Sequence, residues 1–94
     1  MYVDAKVEQY ARLVLEATQR EPRITRGVGS DLAKELVAAA SELARAANRS
    51  YVTPHDIKLA TVPFLRDRIS LAATVLPTDR DDVITSILDN IEVP

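Results

Sequence analysis

The chain has 94 residues and a net charge of −2, with 47% hydrophobic and only 4% aromatic content. That length bounds it to one domain, burying roughly 60–65% of its unfolded surface, with a core built from Ala, Val, Leu and Ile. Two glycines and five prolines argue against an all-β or disordered chain, and the charge offers no overall attraction to nucleic acid or acidic membrane.

No segment is long and apolar enough to span a bilayer, and Met1-Tyr2-Val3-Asp4 does not begin a signal peptide. The absence of cysteine removes disulfides and thiolate metal sites. The expectation is a cytoplasmic location.

From Asp4 to about Gln19, apolar residues recur at Val7, Tyr10, Ala11, Val14, Leu15 and Thr18. Spacing of three and four predicts a one-faced helix with Asp4 as its cap, and Glu8 and Arg12 can pair on its outer face. Pro22 ends it. Glu21 to Gly29 reads as a loop that carries Arg20, Arg23 and Arg26, a cation cluster suited either to solvent or to a phosphate.

Ser30 is expected to cap a second helix running to about Ala47, buried through Leu32, Leu36, Val37, Ala40, Leu43, Ala44 and Ala47. Asn48, which tolerates the left-handed conformation, stops it. Then comes Tyr51-Val52-Thr53-Pro54-His55-Asp56-Ile57-Lys58. Thr53 can cap with its hydroxyl, Pro54 suits the first helical position, and Asp56 can reach back to the cap's N–H. Tyr51 and Val52 are apolar and expected to be buried. Ile57 and Ala60 point inward, and Pro63 is expected to start a separate short helix to about Arg68, with Phe64 and Leu65 as its apolar side.

A short strand is expected within Ile69 to Leu76, paired with Tyr51-Val52. Thr78 begins the last helix, with Asp81 three residues on, and its stripe is Val83, Ile84, Ile87, Leu88 and Ile91. The fold expected is therefore all-α: a compact bundle of four to five short helices with one very short β pairing, forming a single domain over residues 1–94.

No G-x-x-x-x-G-K-[ST] loop is present to cradle a triphosphate, and no strand-then-acid segment offers a magnesium site. His55, the only histidine, lies in the first turn of a capped helix, is expected to be exposed and has no metal-ligand companions. No G-x-S-x-G elbow supports nucleophilic catalysis. Asp79, Asp81 and Asp82 sit at a helix start, where carboxylates serve the dipole, and calcium-loop spacing is absent. These features predict no catalytic residue, no metal site and no cofactor held by the chain alone.

With the helices placed, Tyr51 to Lys58 resembles the Y-V-T-P-D-D-V-K segment in the C-terminal lid domain of MoxR-type AAA+ ATPases. In that family a helix leads to T-R-x-x-P and then to G-A-S-P-R-A, which opens a long Ala/Leu helix ending shortly before Y-V-T-P. Thr18, Pro22 and Gly27 fall at the family's spacing, as does the interval from Gly27 to Tyr51. Leu65-Arg66-Asp67-Arg68-Ile69 resembles its L-x-H-R-L, and Ile84 to Pro94 resembles its closing helix and V-P-x-P-like ending. The resemblance covers about residues 4 to 94.

The resemblance implies a helical lid packed beside an ATP- and magnesium-binding AAA+ core of the same parent protein. It further implies contact with neighbouring subunits of a ring, and a chaperone-like, remodelling activity powered by ATP hydrolysis in that parent. No nucleic acid and no membrane span are expected. The arginine of G-A-S-P-R-A is the family's sensor-2 residue, which reaches the γ-phosphate; a guanidinium at a helix N-terminus suits that task. Here the segment reads Gly27-Val28-Gly29-Ser30-Asp31-Leu32, so Asp31 holds the arginine's slot and its carboxylate repels phosphate. The family's T-R is Thr18-Gln19. Arg26, five residues before Asp31, or Lys34, one turn after it, are the candidate substitutes. The V-T-P-H-D-I-K-L-A string also resembles the start of a late helix in the histone fold, and a free-standing helical adaptor is a third alternative.

Overall fold

Four helices form because four apolar stripes at helical spacing are each given a start signal. In the computed structural model, which describes residues 1–94, α1 spans Ala5–Thr18, α2 Ala33–Ala46, α3 Pro54–Arg66 and α4 Arg80–Asp89. Asp4 caps α1 as expected, its Oδ1 accepting the Lys6 N–H at 2.8 Å. All six predicted inward residues of α1 are buried, and Arg12 meets Glu8 at 2.8 Å on the outer face. Asn48 is the only non-glycine residue at positive φ, 60°, and ends α2 in the left-handed conformation.

The buried row of α2 is narrower than its periodicity suggests. Ala33, Leu36, Ala40 and Ala44 are buried, Leu32 and Val37 are partly so, and Leu43 and Ala47 face solvent. The reason is the neighbour: α2 packs most extensively on α3, with α1 against its start. Small alanines let those helices approach closely, leaving Leu43 at the edge of an open groove with Leu59 and Pro63.

Ser30 does not cap α2 with its side chain. A 3-10 turn, Ser30–Leu32, precedes the helix, and main-chain bonds from Leu32 N–H to the Gly29 carbonyl and from Ala33 N–H to the Ser30 carbonyl satisfy donors that a cap would serve. The same device replaces Thr78 before α4, where Pro77–Asp79 form the turn. Asp81 is then free to take Arg66 through two bonds at 3.0 and 2.8 Å.

Pro63 does not separate two helices; α3 runs straight through it. Pro63 and Leu59 are both exposed, so the lost bond between the Leu59 carbonyl and residue 63 falls on the solvent side of the helix, where water can take its place. Pro63→Ala restores that bond. After the proline's restriction of the unfolded chain is set against it, the gain is about 1 kcal/mol. A higher melting temperature with unchanged helix content checks this; a lower one contradicts it.

The C-terminal carbonyls of α3 are met by arginines. Arg80 donates to the Arg66 and Ile69 carbonyls at 3.0 and 2.7 Å, and Arg68 to the Phe64 carbonyl at 2.8 Å. Arg68 also lies 4.1 Å from the centre of the Phe64 ring.

The expected strand exists, as β2 Ser70–Leu71, but its partner is different. It pairs antiparallel with β1, Ile24–Arg26, within the segment read as loop. Tyr51 forms an isolated parallel bridge with Tyr2 instead. One apolar cluster, running from Val7 through Leu36 and Ile57 to Leu88, holds the elements together.

Candidate functional site

The slot singled out by the sequence lies at the corner between α1 and α2. Thr18, the last residue of α1, is fully buried. Its hydroxyl oxygen accepts the Val28 N–H at 3.0 Å and lies 2.6 Å from the Leu15 carbonyl and 3.1 Å from the Val28 carbonyl. One side chain thus ties the end of α1 to both main-chain groups of the segment that opens α2.

Gly27 is pressed against this clamp. A Cβ added there would stand 2.6 Å from the Thr18 Oγ1 and 2.8 Å from both the Thr18 carbonyl carbon and oxygen. Close approach, not an unusual dihedral, requires the glycine, because no glycine has positive φ. The intervening loop is braced by Glu21, whose carboxylate accepts the Arg23 N–H and two Arg23 guanidinium bonds at 3.0 to 3.1 Å. Those bonds, the side-chain ones foremost, hold the Glu21 carboxyl below its ordinary range.

Thr18→Val keeps the shape and removes the acceptor. The Val28 N–H is left without a partner in a packed corner, at a cost of about 2 kcal/mol. Urea denaturation measures it; a change under half that size would mean that water replaces the hydroxyl.

Of the predicted residues, Gly27 is locked at the corner. Arg26 ends β1 and is exposed, and Asp31 and Lys34 are exposed at the start of α2. None of Arg26, Asp31 and Lys34 takes part in an ion pair. The clefts on the surface are lined by other residues. The largest lies along α1 and Ile91 to Pro94; Tyr10 lines it, with its own hydroxyl buried and unpartnered. No group of three or more His, Asp or Glu side chains is arranged to hold a metal ion, and no helix is long and apolar enough to cross a membrane.

The octapeptide builds the capping box expected of it. Thr53 N–H donates to Asp56 Oδ2 at 2.8 Å and Asp56 N–H to Thr53 Oγ1 at 3.2 Å. His55 is exposed, Val52 is buried, and Tyr51, against expectation, is exposed, because adjacent side chains on extended backbone point to opposite faces and Val52 takes the inner one. What the sequence reading missed is Arg49, which holds the Asp56 carboxylate through two bonds of 2.6 Å. The signal was present: Arg49 is the only charged residue between the end of α2 and Thr53, beside an acid whose capping bonds leave acceptor sites free. The Arg49 bonds, with burial opposing and Thr53 assisting, lower the Asp56 carboxyl to about 2.

The sequence model of the AAA lid domain family matches residues 16–87, from the end of α1 into α4, and so takes in the Thr18–Gly27 corner and the octapeptide. No curated protein and no solved structure matches the chain.

Proposed function

The chain belongs to the AAA lid domain family, and from that premise we propose that it is the lid of a MoxR-type ATPase, moving as one body over ATP bound by the core of its parent. The observation that carries this reading is the clamped corner. Thr18 and Gly27, which fall at the spacing of the T-R-x-x-P and G-A-S-P-R-A segments, are the residues whose contact fixes the start of α2. A rigid corner is what a lid needs to transmit nucleotide state by rigid-body movement to neighbouring subunits of a ring and to a remodelled client. The ATP and magnesium belong to the core; this chain contributes helices, not hydrolysis, in a cytoplasmic enzyme. The histone-fold alternative wants a longer middle helix than the 14 residues of α2.

Two experiments test the reading. The reading frame upstream of Met1 should encode a P-loop and a magnesium-binding strand motif, and its absence would overturn the proposal. The pure chain should release no phosphate from ATP in a malachite-green assay; turnover would contradict its role as a lid.

The sensor slot has its own prediction. Arg26 and Lys34 are the unpaired cations flanking Asp31, and either can meet a γ-phosphate that Asp31 cannot. Arg26→Ala or Lys34→Ala in the full-length parent should weaken nucleotide binding about tenfold, the scale of one charge-assisted contact. Unchanged binding and hydrolysis in both variants would show that this lid senses nucleotide without a lid cation.

A further inference from the structure

A cleft of about 720 Å³ runs along α1 and is bounded on its other side by Ile91 to Pro94. Every residue that lines it lies outside residues 16–87, the part matched by the family model, so what the family shares does not account for it. Its α1 side reaches from Ala5 to Leu13, about 12 Å at the helical rise per residue. That is the length of about four residues of extended chain. Leu13, Ile91, Val93 and Pro94 give it apolar walls.

One polar group in this lining is out of place. Tyr10 is 1% exposed, and its hydroxyl has no hydrogen-bond partner in the protein. A buried hydroxyl without a partner costs stability, and phenylalanine would fill the same space without that cost. Burial, and after it the Asp89 carboxylate, raise the phenol above its ordinary value, so at neutral pH it keeps its proton and can donate. No main-chain hydrogen bond holds Glu92, Val93 or Pro94, so that wall can yield to an occupant.

Charge narrows the acceptor. Arg12 is held by Glu8 at 2.8 Å, which leaves Lys6 against Glu92 in the lining. The Asp89 charge felt at Tyr10 opposes an anion there. A neutral carbonyl is the acceptor that fits. We propose that this cleft binds a short, uncharged aliphatic peptide in extended form, one of whose main-chain carbonyls accepts a hydrogen bond from the Tyr10 hydroxyl. Its side chains lie against Leu13, Ile91 and Val93. A fatty acid would suit the apolar walls but would bring a negative charge towards Asp89. The groove between α2 and α3, at Leu43 and Leu59, is apolar throughout and offers no side-chain donor to fix an orientation.

Titration of the 94-residue chain with acetyl-Ala-Leu-Ala-Ala-amide, followed by the NMR signals of Leu13 and Val93, should show saturable binding in the millimolar range. Tyr10→Phe should melt no lower than the wild type, because it removes an unpartnered hydroxyl, yet should bind the peptide about tenfold more weakly, the scale of one hydrogen bond. Leu59→Ser, at the other groove, should leave the affinity unchanged, and decanoate should bind more weakly than the peptide. No saturable binding by the wild type, equal affinity in Tyr10→Phe, or a comparable loss in Leu59→Ser overturns the proposal. Decanoate binding as tightly as the peptide would make this a lipid site instead. A lower melting temperature for Tyr10→Phe would mean that the hydroxyl is already satisfied, and would overturn the proposal as well.

Discussion

Gly27→Ala should lower stability by about 3 kcal/mol, a loss of roughly 15 °C in melting temperature for a domain of this size. The added methyl would meet the Thr18 Oγ1 at 2.6 Å and the Thr18 carbonyl carbon and oxygen at 2.8 Å. A flexible side chain can yield to such a contact. Main chain at the end of α1 cannot, because it is fixed by the helix and by the Thr18 bonds to Leu15 and Val28. The substitution restricts the unfolded chain, which alone would stabilise by about 0.5 kcal/mol, and the native φ suits alanine. Contact therefore decides the sign. Two controls separate this account from others. Thr18→Ala with Gly27→Ala removes the shortest contact but leaves both carbonyl contacts, so it should not restore stability. Gly29→Ala should be milder, because the added Cβ there would meet chiefly the end of the exposed Asp31 side chain, at 2.7 Å. Equal losses at both glycines would contradict the argument.

How much of this was legible in the sequence depends on the distance over which each feature is determined. Caps are local: Asp4, and Thr53 with Asp56, were readable because donor and acceptor lie within three residues. Asn48 was readable because its side chain tolerates positive φ. Failures came where a distant partner decides. β2 pairs with Ile24–Arg26 and not with Tyr51-Val52, a choice made by how α1, α2 and α3 pack, which no local signal reveals. Pro63 was read as a boundary because proline usually is one, yet its exposure lets α3 continue. Ser30 and Thr78 have the right chemistry for caps, but 3-10 turns supply the bonds from the main chain. At the candidate site, the spacing of Thr18 and Gly27 pointed to the corner, while the contact that makes it rigid emerged only from the fold. The sequence places Arg26, Asp31 and Lys34 near one another along the chain, and the structure leaves all three exposed, none in an ion pair.

Asp56 should make the largest single contribution to pH-dependent stability. Its side chain is 1% exposed, held by Arg49 at 2.6 Å and by the Thr53 N–H at 2.8 Å, and its carboxyl is lowered from 3.8 to about 2. A carboxyl that ionises more readily when folded stabilises fully above the unfolded value and loses that contribution as pH falls through the folded one. The contribution is about 2 kcal/mol, present above pH ~5 and lost on the way to pH ~2. Asp56→Asn keeps an acceptor for the Thr53 N–H but no charge for Arg49, so it should be less stable than the wild type at neutral pH, and the gap between the two should close as the pH approaches 2. Asp56→Ala also removes the cap and should cost about 3 kcal/mol at pH 7, with α3 fraying first at its N-terminus. Urea titrations of the three proteins between pH 7 and 2 make the comparison, and other carboxylates cancel in the differences. A wild-type-to-Asn gap that stays constant down to pH 2 would mean that Arg49 and Asp56 do not hold each other as the structure places them.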